Sequence, residues 1–328
     1  MLDTIYVSAL VAIDYLDYLN GWYYNPKNVS KRKWLVLPNG ATIRMEYYLF
    51  SRCLTLRFSA SRVQNGTNAI AFDYEFNKVN EFKNTIEQVV FNELGVVLTC
   101  DDLLLTRLDI NRDFTFQKET HANAVMEFFN KVLPGRCEKR ENYETGMTSM
   151  TQYAGLRVYR KDEDPTVNIK MKPTVRLELQ LDRRRIERTF GFRPSLSNIL
   201  QKKVLADVWD RLLQERGLDN PILDQSQLYK AARKYLTRSQ FNTLHQMNEN
   251  PTFDDKKQRR KQLEVIRKLK AAHLCPYACE VPIKLIMNDY ATIMNNPKEG
   301  LLCSKQYAIC SNYPAEDATA TKWYIDTS

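Results

Sequence analysis

Two stretches decide the fold: Leu105-Thr106-Arg107-Leu108-Asp109-Ile110-Asn111-Arg112-Asp113 and Thr174-Val175-Arg176-Leu177-Glu178-Leu179-Gln180-Leu181. Side chains of a β-strand point alternately to its two faces, so parity sorts these residues. In the first, Leu108 and Ile110 share one face, while Arg107, Asp109, Asn111 and Asp113 share the other. In the second, Val175, Leu177, Leu179 and Leu181 face a core and leave Arg176, Glu178 and Gln180 opposite. Between them, Leu156–Lys161 places Leu156 and Val158 against Arg157, Tyr159 and Lys161. An arginine therefore stands two residues before Asp109, Tyr159 and Glu178. Carboxylates are depleted in strands, so their presence here asks for a reason. One reason is a solvated sheet face laced with cross-strand ion pairs. The other is a chemical site, formed if the three strands are neighbours.

Outward from these strands, Thr4–Ile13, Ala41–Phe50 and Cys53–Ser61 carry β-branched and aromatic residues in short runs, separated by turn signals such as Leu37-Pro38-Asn39-Gly40. Residues 76–95 have Val79, Phe82, Ile86, Val89 and Val90 at helical spacing and stop at Gly95. Residues 121–135 repeat a helical pattern closed by Pro134 and Gly135. Strand, helix and strand thus occur twice, a pattern compatible with a duplicated sheet although no sequence repeat supports it. After Asp182 the composition turns to helical segments over 195–216, 226–248 and 254–273. The expected architecture is α+β: a mainly antiparallel sheet with two packed helices over residues 1–185, then a helical basic domain over 186–328.

The 328 residues carry 48 Lys and Arg against 39 Asp and Glu, a net charge of +9, which favours a polyanionic partner. Basic clusters lie at Lys31–Lys33, at Arg183, Arg184 and Arg185, and at Lys256, Lys257, Arg259, Arg260 and Lys261. Any one of them has a plain reading as a solvated helix face. Seven cysteines at irregular spacing argue for reduced thiols and a cytoplasmic setting rather than a disulfide framework. The apolar opening Ile5–Ile13 is too short to span a bilayer, follows Asp3 and alternates like a strand, so no membrane segment is expected.

If the polar faces converge, Asp109 and Glu178 suit Mg²⁺ or Mn²⁺, which take oxygen ligands and keep several waters. Such an ion would neutralise charge on a phosphodiester, with Arg157, Lys161 and Arg107 stabilising the rest. Tyr159 is then the candidate nucleophile. A phenol with an unperturbed pKa of about 10 needs cationic neighbours to attack near neutrality. The chain has 18 tyrosines, most of which must serve packing; Tyr153 competes with Tyr159, and Tyr153 or Tyr143 can take part in a second transfer.

At TRLDINRDF, LRVYRKDED and TVRLELQLDRRRIE the chain resembles the rolling-circle replication initiators of phages and plasmids, typified by the filamentous-phage gene II/X proteins. Those families carry an R-L-D strand, an R-x-Y-x-K strand followed by an acidic residue, and an R-x-E-L strand, in that order. Leu54–Ile70 resembles the family's strand, serine, short loop and Gly-x-Asn stretch, and Asn250–Leu269 its basic helix. The resemblance implies nicking of one DNA strand at an origin, a 5′-phosphotyrosyl intermediate, a free 3′-OH that primes synthesis, and later rejoining. It implies a third acidic ligand among Asp162, Glu163 and Asp164, with Glu163 the choice, a DNA-binding role for Arg107, Arg176 and the basic clusters, and a host helicase and polymerase as partners in a bacterial cytoplasm. Related relaxases hold metal with a His-hydrophobic-His pair, whereas His121, His245 and His273 are isolated here.

Other signals are weaker. Cys275 and Cys279, with Cys303 and Cys310, could make a four-thiolate zinc site, but the spacing is loose and reduced structural or surface cysteines are the simpler reading. Residues 227–247 are compatible with a helix-turn-helix bending at Leu236–Ser239, or with plain helical packing. No Gly-rich phosphate loop is present, so unwinding would fall to a partner. Two rival readings stay open: a DNA-binding regulator of a phage or plasmid that cuts nothing, and a metal-dependent nuclease that forms no covalent adduct.

Overall fold

The structure is a computed structural model that describes residues 2–12, 19, 21–132, 139–143, 145–150, 154–164, 171–216, 218–249 and 256–285. The first half contains β1 (Leu2–Leu10), β2 (Tyr23–Asn25), β3 (Ser30–Val36), β4 (Thr42–Tyr48), β5 (Cys53–Ser59), α1 (Ala60–Asn65) and α2 (Phe76–Leu94). The second contains β6 (Leu104–Thr115), α3 (Glu119–Val132), β7 (Lys139–Tyr143), β8 (Gly146–Met150), β9 (Ala154–Arg160), β10 (Thr174–Asp182) and α4 (Arg183–Phe190). Five helices follow: α5 (Leu196–Ile199), α6 (Lys202–Arg216), α7 (Gln225–Ala232), α8 (Arg238–Glu249) and α9 (Lys256–Ala271). This is the α+β architecture expected from the strand and helix periods.

The strands form one ten-stranded sheet in the order β2-β3-β4-β5-β1-β6-β10-β9-β8-β7, with every pairing antiparallel. That order reads the same from either edge when β1 to β5 are matched with β6 to β10, so the two halves share one topology about an axis between β1 and β6. The match continues into the helices. β5 ends at Ser59, which caps α1 by accepting from the Arg62 amide at 3.4 Å, and β10 ends at Asp182, which caps α4 by accepting from the Arg185 amide at 2.9 Å. Left-handed glycines, Gly66 at φ 73° and Gly191 at φ 78°, close the two helices.

One face of the sheet is apolar because its strands alternate, and helices cover it. The buried side chains of α2, Phe82, Ile86, Val90 and Leu94, recur every four residues, and the Phe82 ring meets Phe58 of β5 at 6.0 Å. Ala122, Val125, Phe128 and Phe129 of α3 join the same core with Leu156, Val158, Leu177 and Leu179. Past residue 185 the chain continues to build this core. Leu196, Ile199, Leu205, Trp209 and Leu213 belong to it, and the Trp209 indole donates to the Leu285 carbonyl at 2.9 Å. α7, α8 and α9 form a smaller cluster around Leu228, Leu244, Met247, Val265 and Leu269.

Three expectations change in detail. The segment 195–216 is two helices, broken at Leu200 and Gln201, and 226–248 is two helices joined through residues 233–237. β3, β7 and β8 escape the sequence pattern: Ser30–Val36 runs from polar and basic residues into Trp34, Leu35 and Val36, and Lys139–Tyr143 is mostly polar, so neither alternates apolar with polar. A bulge between Leu2 and Ile5 of β1, opposite Ile110 and Leu108 of β6, inserts one extra residue. It lets Leu2 and Ile5 both enter the core while the carboxylate of Asp3, between them, reaches the polar-face residues Ser59 and Asn111.

Candidate active site

The other face of the sheet is polar, and the strand order β6-β10-β9 makes its three distinctive strands neighbours. Antiparallel register sets them in rows. One row runs Asp113, Arg176, Tyr159, Gly146 and Tyr143 across β6, β10, β9, β8 and β7. The next runs Asn111, Glu178, Arg157 and Thr148. Asp109 stands opposite Gln180, one row further along β6.

Hydrogen bonds and ion pairs join the charged side chains of this face. Arg107 donates twice to Asp109, from Nε at 2.9 Å and Nη2 at 2.8 Å. Arg176 grips Asp113 through Nε at 2.6 Å and Nη2 at 2.9 Å, and reaches Asp3 through Nη1 at 3.3 Å. Lys161 Nζ donates to the same Asp113 at 2.6 Å. Asp3 also accepts from Asn111 at 3.1 Å and Ser59 at 3.2 Å, and Ser59 donates to the Asn68 side chain at 2.7 Å. The Gly66-x-Asn68 turn therefore borders the site, its Asn68 carbonyl receiving Arg176 Nη2 at 3.4 Å.

Asp3, Asp109 and Glu178 are all buried, 6%, 2% and 4% exposed. Burial, then the neighbouring Asp109 and Asp3, push the Glu178 carboxyl up to about 7. Burial also raises Asp109, against the opposing pull of Arg107. Asp113 behaves oppositely: burial would raise it, but the hydrogen bonds and charges of Arg176 and Lys161 prevail and hold it at about 2. The Tyr159 hydroxyl is raised by burial, with Glu178 and Asp3 adding to that while Arg176 and Arg157 oppose it. The Arg157 guanidinium lies over the Tyr159 ring, 4.6 Å from its centroid.

Among the described residues no three or more His, Cys, Asp or Glu side chains gather closely enough to enclose a metal. The donor set instead fits a hydrated hard cation: burial, then the neighbouring Asp109 and Asp3, raise the Glu178 carboxyl, and an added cation would relieve that repulsion. Asp109 and Glu178 are the residues that would hold it.

The structure brings Asp109, Glu178, Tyr159, Arg157, Arg176 and Arg107 to one face, with Lys161 beneath it, 1% exposed and bound to Asp113. Glu163 is not with them. Its carboxylate is 3.2 Å from Arg160, whose guanidinium also binds Asn123 of α3 at 2.7 Å, so Glu163 belongs to the helix-covered side of β9. Arg183 pairs with Glu187 at 2.8 Å and Arg185 with Glu215, while Arg184 is exposed on the same helix. Arg259, Arg260 and Lys261 are exposed on α9, which begins at Lys256 and Lys257. Cys275 and Cys279 are buried free thiols, the latter donating to the Ala124 carbonyl at 3.6 Å; Cys303 and Cys310, like Tyr153, lie outside the described residues. The residue that strand parity overlooks is Asp3. A lone acid inside a mainly apolar strand was its signal, and the bulge that aims it is not written in the alternation.

No protein-family model matches the chain, and no curated protein matches it. Among solved structures it is similar to a rolling circle replication initiator protein from Geobacillus stearothermophilus, with 14% identity over 65% of this chain and 83% of that one and a TM-score of 0.34.

Proposed function

We propose that the chain is a rolling-circle replication initiator, a strand transferase that nicks one DNA strand at an origin and holds the 5′ end on a tyrosine. The observation that carries this reading is the sharing of one buried polar sheet face by Tyr159, two arginines and the acids Asp3, Asp109 and Glu178. Asp109 and Glu178, with Asp3 beside them, would hold Mg²⁺ or Mn²⁺, which supplies charge neutralisation at the scissile phosphate. Arg157 and Arg176 stabilise the phenolate and the charge growing on the phosphate. The phenol oxygen attacks phosphorus, the bond to the 3′ oxygen breaks, and the proton lost by the phenol is balanced by the one gained on the departing 3′-OH. The tyrosyl ester keeps the energy of the broken linkage, so attack by another 3′-OH rejoins the strand without a nucleotide cofactor. Origin DNA, a host helicase and a polymerase are the partners this role needs, and the bacterial cytoplasm its setting; no described helix is long and apolar enough to cross a membrane.

One observation favours a second assignment of the nucleophile. Tyr159 is only 7% exposed and its hydroxyl is made less acidic by burial, whereas Tyr143 lies in the same register row across the bare Gly146. In that version Tyr143 attacks and Tyr159 positions the arginines. The deciding experiment incubates the full chain with supercoiled origin DNA and Mg²⁺, then maps the peptide bound to the 5′ phosphate. An adduct on Tyr159 supports the first assignment, one on Tyr143 the second. Nicking without any SDS-stable adduct makes the protein a plain nuclease, and no nick at all makes it a regulator.

A further inference from the structure

The polar face does not end at the acids. It continues across β1, β5, β4 and β3 as a row in which Arg107, Tyr6, Arg57, Arg44 and Trp34 stand opposite one another in turn. The side chains interleave as the register requires: the guanidiniums of Arg57 and Arg107 lie over the Tyr6 ring at 4.9 Å and 5.2 Å, and that of Arg44 lies over Trp34 at 5.6 Å. Trp34 is 53% exposed and Arg57 is exposed, so the row opens to solvent where the acid cluster is closed. In the adjacent row Arg32 stands opposite Tyr23 on one side and Glu46 on the other. Glu46 accepts from Arg32 at 2.7 Å and Arg44 at 3.1 Å, and Arg107 is held by Asp109. In these two rows four guanidiniums thus face only Glu46 and Asp109 as ion-pair partners, an excess that suits a polyanion.

We propose that this row is a docking platform for single-stranded DNA, leading the strand across the sheet toward the acid cluster. With strands about 4.8 Å apart, the row from Trp34 to Arg107 spans roughly 19 Å, the scale of a short single-stranded site. Unpaired bases stack on the exposed Trp34, while Arg57, braced on the Tyr6 ring, and Arg44 meet phosphates. A duplex keeps its bases stacked on one another, so it cannot use the aromatic faces. Arg107 joins the two regions, since it contacts Tyr6 on the platform and Asp109 in the cluster. The direction of travel rests on the nicking reading; the platform itself rests on this geometry alone.

The test is fluorescence anisotropy of a labelled oligo-dT on the full chain in EDTA, where no cleavage occurs. Trp34→Ala should weaken binding about 5- to 150-fold, the range for loss of one base–aromatic stack, and Trp34→Phe should restore most of it. Arg57→Ala should weaken binding and lower the slope of log affinity against log salt by about 0.7, the value for one phosphate contact on a single strand. Unchanged affinity in Trp34→Ala overturns the proposal. So does duplex DNA binding as tightly as oligo-dT with the same losses, polyglutamate competing equally, or RNA preferred more than about tenfold. If these losses occur but no nick is ever found, the platform stands and the nicking reading falls; nicking with unchanged Trp34→Ala binding gives the reverse.

Discussion

Glu178 carries the sharpest consequence at the scale of single residues. Its carboxyl is raised from 4.5 to about 7, so the folded protein holds a proton that the unfolded chain has released between those values. Stability contributed by this group is therefore full below about 4.5 and is lost as pH rises toward 7. In chelator, Glu178→Gln should melt above the native protein at pH 8, by an amount worth up to about 3 kcal/mol, and should match it near pH 5. Added Mg²⁺ should then raise the native melting temperature at pH 8 and leave the variant's nearly unmoved; equal shifts in both would remove Glu178 from the ligand set. Asp113 is the opposite case. Held at about 2 against an ordinary 3.8, it contributes stability above its unfolded value that is lost as pH falls through 2. Asp113→Ala leaves Arg176 and Lys161 buried without their main acceptor, and a loss of about 3–5 kcal/mol is expected in denaturant unfolding.

Among the elements, β8 and β9 show how tightly the site is framed. A Cβ on Gly146 would sit 2.5 Å from Tyr159 Cβ and 2.8 Å from Tyr159 Cα, well inside contact distance. Gly146→Ala should cost about 1–3 kcal/mol and push Tyr159 out of its row, abolishing adduct formation on either tyrosine. A variant that folds, cuts and links at the native rate would show that this register is not what positions the phenol. α2 was legible to within a residue, because apolar side chains at helical spacing and a closing Gly95 are both local signals. The strand parity of β6, β9 and β10 was equally legible, since apolar side chains alternate with charged or polar ones along each of them. β3 was not: Lys31 and Lys33 occupy the helix side of the sheet, and Lys33 is held there by Glu93 of α2 at 2.6 Å, a partner sixty residues away. Glu163 failed for a related reason. Past the end of β9 parity lapses, and the turn delivers that carboxylate to Arg160 instead.

For the molecule as a whole, the sheet and the helices after residue 185 share a core. The Arg112 guanidinium donates to the Leu285 carbonyl at 2.8 Å, and the amides of Leu105 and Leu196 bond Pro194 and Leu103 at 2.9 Å and 2.8 Å. A fragment ending at residue 185 should consequently lose cooperative unfolding, with a broad transition and dye-accessible apolar surface in place of one sharp melt. A sharp transition in the fragment would show that the sheet stands alone. What the chain determined by itself was the set of local periods: which faces are apolar, where α2 starts and stops, that a second helix follows β6, and that arginines, acids and a tyrosine share a side of their strands. Only the tertiary structure decided that β10 lies between β6 and β9, that a bulge brings Asp3 to the same acids, that the two halves repeat one topology, and that Trp34 and Tyr6 align with three arginines. Strand order and cross-strand register arise from pairings between residues far apart in the chain, and alternation within one strand carries no information about its neighbour.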